Sequence, residues 1–211
     1  ARYFDAHCHL QDQRFENQID LIIEKSLLKK VGWMCSCGTS ESDWDQLISL
    51  SSQFSCIIPA LAVHPWYIDS ISENWLTLLE EKLITHGTII GECGLDFVIK
   101  DVDKEKQLYV FEQQLLLAQK LKKTVCIHCR GAWQSLIQVL DKVGELPGSG
   151  LIHSYSGSAD MVSELEKRGF YISFSGSVTN LNNKKIEKAL RKVSSHRLLT
   201  ETDSPDITPY D

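Results

Sequence analysis

Short apolar runs alternate along this chain with longer stretches whose apolar residues recur every three or four positions. Eight runs read as strands, near 2–7, 31–36, 56–63, 88–92, 124–128, 150–154, 169–174 and 197–202. Each is of strand length and rich in Val, Ile, Leu, Cys and aromatic residues, as expected of strands buried on both faces. Between them, Ile19, Ile22, Ile23 and Leu27 make one helical stripe, and Leu47 with Leu50 a shorter one. Trp75, Leu78, Leu79 and Leu83 make another, ended by His86-Gly87 in a helix-stop pattern. The longest, over 103–122, carries Leu108, Phe111, Leu115 and Ala118. Trp133–Leu140, Met161–Leu165 and Ile186–Val193 supply three more.

Seven strand–helix alternations closed by an eighth strand predict a parallel sheet, and eight strands favour closure into a TIM-type (β/α)8 barrel. One feature is odd. A barrel covers its last strand with an eighth helix, yet after 202 the chain holds only Asp203-Ser-Pro-Asp-Ile-Thr-Pro-Tyr-Asp211, so the last helix is missing from the expected set. No linker or repeat divides the chain, so 1–211 reads as a single domain. The segment Gly144–Gly150, with Pro147, is the most flexible-looking connection.

The polar residues that end these runs carry the chemistry. His7 and His9 lie two apart, and so on one strand face, with Cys8 pointing away. Glu92, His128, His153 and Asp203 close four further runs. Imidazole and carboxylate together are ligands of zinc, manganese and related divalent ions. Strand C-terminal ends are where barrel active sites lie, so one metal-bearing pocket on that rim is expected.

Composition narrows the setting. The 211 residues carry a formal charge of −6, which argues against a broad basic footprint on duplex nucleic acid. It leaves room for a small site in which metal supplies the positive charge. Seven scattered cysteines, mostly inside apolar runs, read as buried reduced thiols of a cytosolic protein. No signal peptide and no bilayer-length apolar run is evident, so a cytoplasmic location without a membrane partner is expected. Cys35-x-Cys37 has no second pair to complete a tetrahedral site and reads as structural. His86 and His196 read as exposed residues near helix ends. The tract Asn183-Lys184-Lys185 with Lys188, Arg191 and Lys192 reads as a solvated helix face.

Five elements stand in order along the chain: Tyr3-Phe-Asp-Ala-His7-Cys-His9-Leu10, Gly91-Glu92-Cys-Gly-Leu-Asp96, His128-Cys-Arg130, His153-Ser-Tyr-Ser-Gly-Ser158 and Leu198-Leu-Thr-Glu-Thr-Asp203-Ser-Pro205. Together they resemble the TatD family of metal-dependent deoxyribonucleases within the amidohydrolase-like barrels. A lone His-x-His is a weak signal; all five in order are specific. Gln11, Thr124 and Gln134 depart from the family pattern, none at a ligand position.

The resemblance implies two divalent ions (Mg, Mn or Zn). His7, His9, Glu92 and Asp203 would hold one, and His128, His153 and a shared oxygen of Glu92 the other. A bridging carboxylate sets two ions at the spacing that clamps both oxygens of a phosphoryl displacement by activated water. Asp203 and Glu92 would be the catalytic carboxylates, Asp203 as ligand and general base. The resemblance points to His64 as a phosphate contact, and the fork of Arg130 suits a phosphate oxygen. Trp66 or Tyr155 would stack a base, while Asp5 and Glu201 would orient ligand imidazoles. The expected function is an exonuclease cleaving single-stranded or frayed DNA ends, its protein partners unknown. The alternatives are hydrolysis of amides, lactones or small phosphoesters on the same ions, or a non-catalytic metal-binding barrel. A carboxylated lysine often bridges the ions of amide-cleaving relatives; Glu92 in that place favours the phosphodiesterase.

Overall fold

In the computed structural model, which describes residues 2–210, eight parallel strands form one sheet in sequence order. They are β1 Tyr3–Cys8, β2 Val31–Cys37, β3 Ile57–Leu61, β4 Ile89–Asp96, β5 Val125–Arg130, β6 Gly150–Ile152, β7 Phe170–Phe174 and β8 Leu198–Thr200. The intervening helices are α1 Ile19–Leu28, α2 Trp44–Gln53, α3 Trp75–His86, α4 Lys104–Leu121, α5 Trp133–Val143, α6 Ala159–Lys167 and α7 Lys184–Lys192. The sheet curls into a nearly closed (β/α)8 barrel of TIM type. Among the described residues seven α-helices cover it, and 201–210 carry none.

The seam between β8 and β1 is closed by loop contacts rather than a ladder. Asp203 N donates to the His7 carbonyl at 2.9 Å, and His9 N to the Ser204 carbonyl at 2.8 Å. Asp5 accepts from Thr202, from its backbone N at 2.9 Å and its hydroxyl at 2.7 Å. Asp5 therefore grips the end of the last strand, and no ligand imidazole, contrary to its expected orienting role. Closure needs an acceptor there more than the rings do.

Most apolar side chains pack between sheet and helices, in a layer that includes Leu47, Leu79, Phe111, Leu115, Ile127 and Ile172. A separate small cluster, Ala6, Cys35, Cys37, Ala60, Cys126 and Leu151, joins strands that are not neighbours in the sheet and so fills the lumen. Helix α4 starts where the Asp103 carboxylate accepts from Lys106 N, an N-cap that satisfies an orphan donor.

Two buried glutamines of α4 then hold the strand ends. Gln114 exchanges hydrogen bonds with both backbone groups of Val63, at 2.7 and 3.1 Å. Gln107 accepts from Asp96 N at 2.9 Å and donates to the carbonyls of Asp96 and Pro65, both at 3.1 Å. These bonds answer the unpaired polar groups of strand termini and fix the ends of β3 and β4 against one helix.

Candidate metal centre

Glu92 emerges from β4 with its carboxylate buried among five imidazoles, and its two oxygens divide them. Oε2 lies 3.3 Å from His7 Nε2 and 3.5 Å from His9 Nε2. Asp203 Oδ1 faces the same two nitrogens at 3.6 and 3.5 Å. Oε1 lies 2.6 Å from His153 Nε2, 2.9 Å from His128 Nδ1 and 3.3 Å from His64 Nε2. The structure thus brings His7, His9, Glu92, His128, His153 and Asp203 together from β1, β4 and β5 and from the segments that follow β1, β6 and β8. All but His7 line a cavity of about 960 Å³, and His7 sits beneath it.

The donor set fits divalent ions. His7 Nε2 and His9 Nε2 are 3.2 Å apart, and His128 Nδ1 and His153 Nε2 are 3.3 Å apart. Two nitrogens bound to one ion at about 2.0–2.1 Å in a tetrahedral arrangement are about 3.3 Å apart. Several of these donors also fall into close mutual groups of metal-binding type, among them His7 with His9 and Glu92, and His7 with His153 and Asp203.

Three of these rings, those of His7, His9 and His128, have a partner on the far nitrogen, and that partner decides which nitrogen faces Glu92. His9 Nδ1 donates to the Cys37 carbonyl at 2.7 Å. His7 Nδ1 meets Cys126 Sγ at 3.1 Å. His153 Nδ1 lies 3.5 Å from Glu201, too poorly aligned for a hydrogen bond. Glu201 itself accepts from Ser154 N at 2.7 Å and from the Ser173 hydroxyl. His128 is the exception: its Nε2 faces Asp96 at 3.3 Å, so Nδ1 points at Glu92.

His64 behaves differently. Trp66 N donates to its Nδ1 at 3.1 Å, so the proton of the neutral ring sits on Nε2, facing Glu92. Burial lowers the His64 pKa to about 4 against the pull of Glu92. A neutral ring with Nε2–H is a hydrogen-bond donor rather than a metal ligand.

The other residues singled out by the sequence separate cleanly by place. Arg130 lines the cavity and pairs through Nε with Asp96 at 3.0 Å. Trp66 stands half-exposed on the wall, whereas Tyr155 is buried and packs against Trp133 and Phe174 with its hydroxyl on the Ser158 carbonyl. Tyr155 is thus a core residue and not a stacking platform. Arg14 also lines the cavity, but Asp12 and Asp206 both grip it at 2.8 Å. Gln11 bonds the Cys37 carbonyl at 2.7 Å and accepts from the Ser36 hydroxyl at 2.9 Å, a packing role. His86, His196 and the lysines of α7 are exposed.

Sequence reasoning missed two residues. Asp96, the last of the Gly-Glu-Cys-Gly-Leu-Asp run, binds His128, Arg130 and Trp66 at once. Its one legible signal is parity: it lies four residues past Glu92 on the same strand. Cys126, two residues before His128 and so on its face, backs His7 from across the lumen. Burial alone would raise its pKa, but Cys37 and His7 draw it down to about 6.

The charges respond to one another. Burial alone would push the Glu92 pKa up, but His153, His64 and His7 hold it well below the usual carboxylate range. Burial disfavours charged imidazoles, yet Cys126 and Glu92 raise His7, Glu92 and Glu201 raise His153, and Asp96 and Glu92 raise His128. Without metal, protons therefore take the cationic role beside Glu92.

A pH dependence follows. Raised folded-state values give stability that is complete below the unfolded histidine value of about 6.5 and is lost as pH rises through the folded values. His64, depressed to about 4, works in the other sense and costs stability as pH falls from about 6.5 towards 4. A divalent ion replaces protons on the raised rings, so its stabilisation grows with pH. The rise in Tm on adding saturating Mn²⁺ is therefore larger at about pH 8 than at about pH 6. Differential scanning calorimetry checks this, and a larger rise at the acid value contradicts it.

An eight-stranded parallel barrel with carboxylate and imidazole donors converging at the strand C-terminal ends is the construction of a metal-dependent hydrolase. The family model of TatD related DNase matches residues 4–211, and the chain belongs to that family. It is 31% identical over 209 residues to the uncharacterized metal-dependent hydrolase YabD of Bacillus subtilis, covering 98% of this chain and 82% of YabD. It is 28% identical over 215 residues to a protein of Citrobacter koseri named 3'-5' ssDNA/RNA exonuclease TatD, covering 99% of this chain and 81% of that one. Among solved structures, the TatD homologue YjjV of Escherichia coli superposes with a TM-score of 0.94 at 26% identity, over 99% of this chain and 82% of YjjV. Among the described residues, no helix is long and apolar enough to cross a membrane.

Proposed function

We propose that this protein is a two-metal phosphodiesterase that trims single-stranded or frayed DNA ends. One observation carries the reading: the two oxygens of Glu92 face separate imidazole pairs, His7 with His9 and His128 with His153. One ion would rest on His7, His9, Glu92 and Asp203, the other on His128, His153 and Glu92. Bound divalent ions, Mg, Mn or Zn, supply Lewis acidity to the phosphoryl oxygens and acidify water.

The protein's own groups do the rest. Asp203, held below the usual carboxylate range by His9, His153 and His7 although burial alone would raise it, is ionised and accepts the water proton. His64 Nε2–H and the outer guanidinium nitrogens of Arg130 hold the non-bridging phosphate oxygens. Both arginines that line the cavity are paired, Arg14 with Asp12 and Asp206 and Arg130 through Nε with Asp96, so the outer nitrogens of Arg130 grip one phosphate at a time. That suits a strand end better than a long duplex. The activity named for the Citrobacter koseri relative supports the same substrate class. Seven free cysteines, six of them buried, fit a reducing cytoplasm.

The test is purified protein with Mg²⁺, Mn²⁺ or Zn²⁺ and end-labelled single-stranded DNA. Stepwise shortening is expected, with His128→Ala and Asp203→Ala each slower by about 10³-fold or more, as loss of a group at the reacting centre costs about 4 kcal/mol. Cleavage that survives both changes unaltered overturns the reading.

A further inference from the structure

Three of the four histidines around the Glu92 oxygens, leaving His64 aside, present Nε2; His128 alone presents Nδ1. A neutral ring that gives Nδ1 to a metal keeps its proton on Nε2, and Nε2 faces Asp96 Oδ2 at 3.3 Å. The same buried carboxylate accepts from Trp66 Nε1 at 2.8 Å, Arg130 Nε at 3.0 Å and Val98 N at 3.0 Å. Its backbone is clamped in turn by Gln107 of α4, which also holds the Pro65 carbonyl beside Trp66. Asp96 thus has no freedom to swing away, and every group pointing at it is a donor. Arg130 and Trp66 stand together on the cavity wall, guanidinium over indole at 5.9 Å.

From this arrangement we infer that Asp96 is the positioning residue of the reaction: it locks the proton on His128 Nε2 so that Nδ1 is free for metal, and it fixes Arg130 and Trp66 as the wall that receives the substrate's phosphate and adjoining base. The inference rests on the phosphodiesterase reading for the substrate wall, whereas the His128 half concerns metal binding alone. A carboxylate is needed because an amide would set an N–H against a donor whichever way it turned. If the amide nitrogen faced His128, the ring would move its proton to Nδ1 and close that nitrogen to metal. Trp66 and Arg130 share the anchor, so the wall and the metal-side ring move together when it fails.

The test uses three measurements. Nitrogen-15 histidine spectra of the Zn²⁺-loaded protein are expected to place the metal on His128 Nδ1 and the proton on Nε2. In Asp96→Asn, Mn²⁺ affinity, read by electron paramagnetic resonance, falls about 10–100-fold, as loss of a ligand's orienting partner does. In Trp66→Phe, which removes one donor and keeps the ring, Mn²⁺ affinity stays at the wild-type value while KM for single-stranded DNA rises. In the Zn²⁺-loaded wild type, metal on Nε2 with the proton on Nδ1 overturns the proposal even if Asp96→Asn fails to fold. So does a folded Asp96→Asn protein with wild-type Mn²⁺ affinity. Absence of any DNA cleavage by the wild type sinks the phosphodiesterase reading and leaves the His128 tautomer and metal result standing on their own.

Discussion

Glu92→Gln is expected to lower kcat/KM for single-stranded DNA by about 10³-fold or more, about 4 kcal/mol of transition-state stabilisation. The size follows from geometry. One carboxylate serves imidazoles on both of its oxygens, so an amide removes the shared negative charge and sets an N–H against one of the two imidazole groups. Divalent-ion affinity falls with it, because both proposed ion positions lose the same ligand. The change also strips the anion that raises His7, His128 and His153. Those rings then titrate closer to the ordinary value near 6.5, and the metal-free variant loses much of its stability change between about pH 6 and pH 8. Steady-state kinetics and urea titrations across that range check both parts; activity within tenfold of wild type contradicts the account.

Gly94→Ala is expected to cost at least about 3 kcal/mol of folding stability. Gly94 has φ +146°, a region L side chains rarely adopt, and a Cβ there would stand 1.9 Å from the His128 carbonyl oxygen. That oxygen is backbone and cannot rotate aside. Gly94 pairs with His128 in the β4–β5 ladder, so the extra methyl pushes apart the two strands that carry Glu92 and His128. Stability and metal affinity therefore fall together. A variant with wild-type Tm and wild-type Mn²⁺ affinity contradicts this reading of the close approach.

The barrel is legible in the sequence because its strands are buried on both faces, and continuous apolar runs separated by helical periods leave little choice of fold. Ends are less legible. The fourth apolar run reads as a strand over 88–92, yet β4 continues to Asp96, because Gly94 breaks the apolar pattern where the ladder requires it. The sixth strand stops early, at Ile152, where His153 and Ser154 turn to the site and to Glu201. The six ligand-type residues are readable from their positions at the ends of runs.

Their supports are not. Gln107 and Gln114 look like ordinary polar positions of a surface helix, and only the packing of α4 against the ends of β3 and β4 buries them. Cys126 and Cys37 read as inert thiols in apolar runs, and their meeting with His7 depends on barrel closure bringing β1, β2 and β5 to one lumen. Asp5 shares the face of His7, but hydrogen-bond demand at the seam turns it to Thr202.

The central claim is that Glu92 bridges two ions. Anomalous diffraction from crystals grown with Mn²⁺ tests it most directly. Two peaks are predicted, one beside His7, His9 and Asp203 and one beside His128 and His153, with one oxygen of Glu92 on each. A single peak, or two peaks of which Glu92 touches only one, contradicts the account.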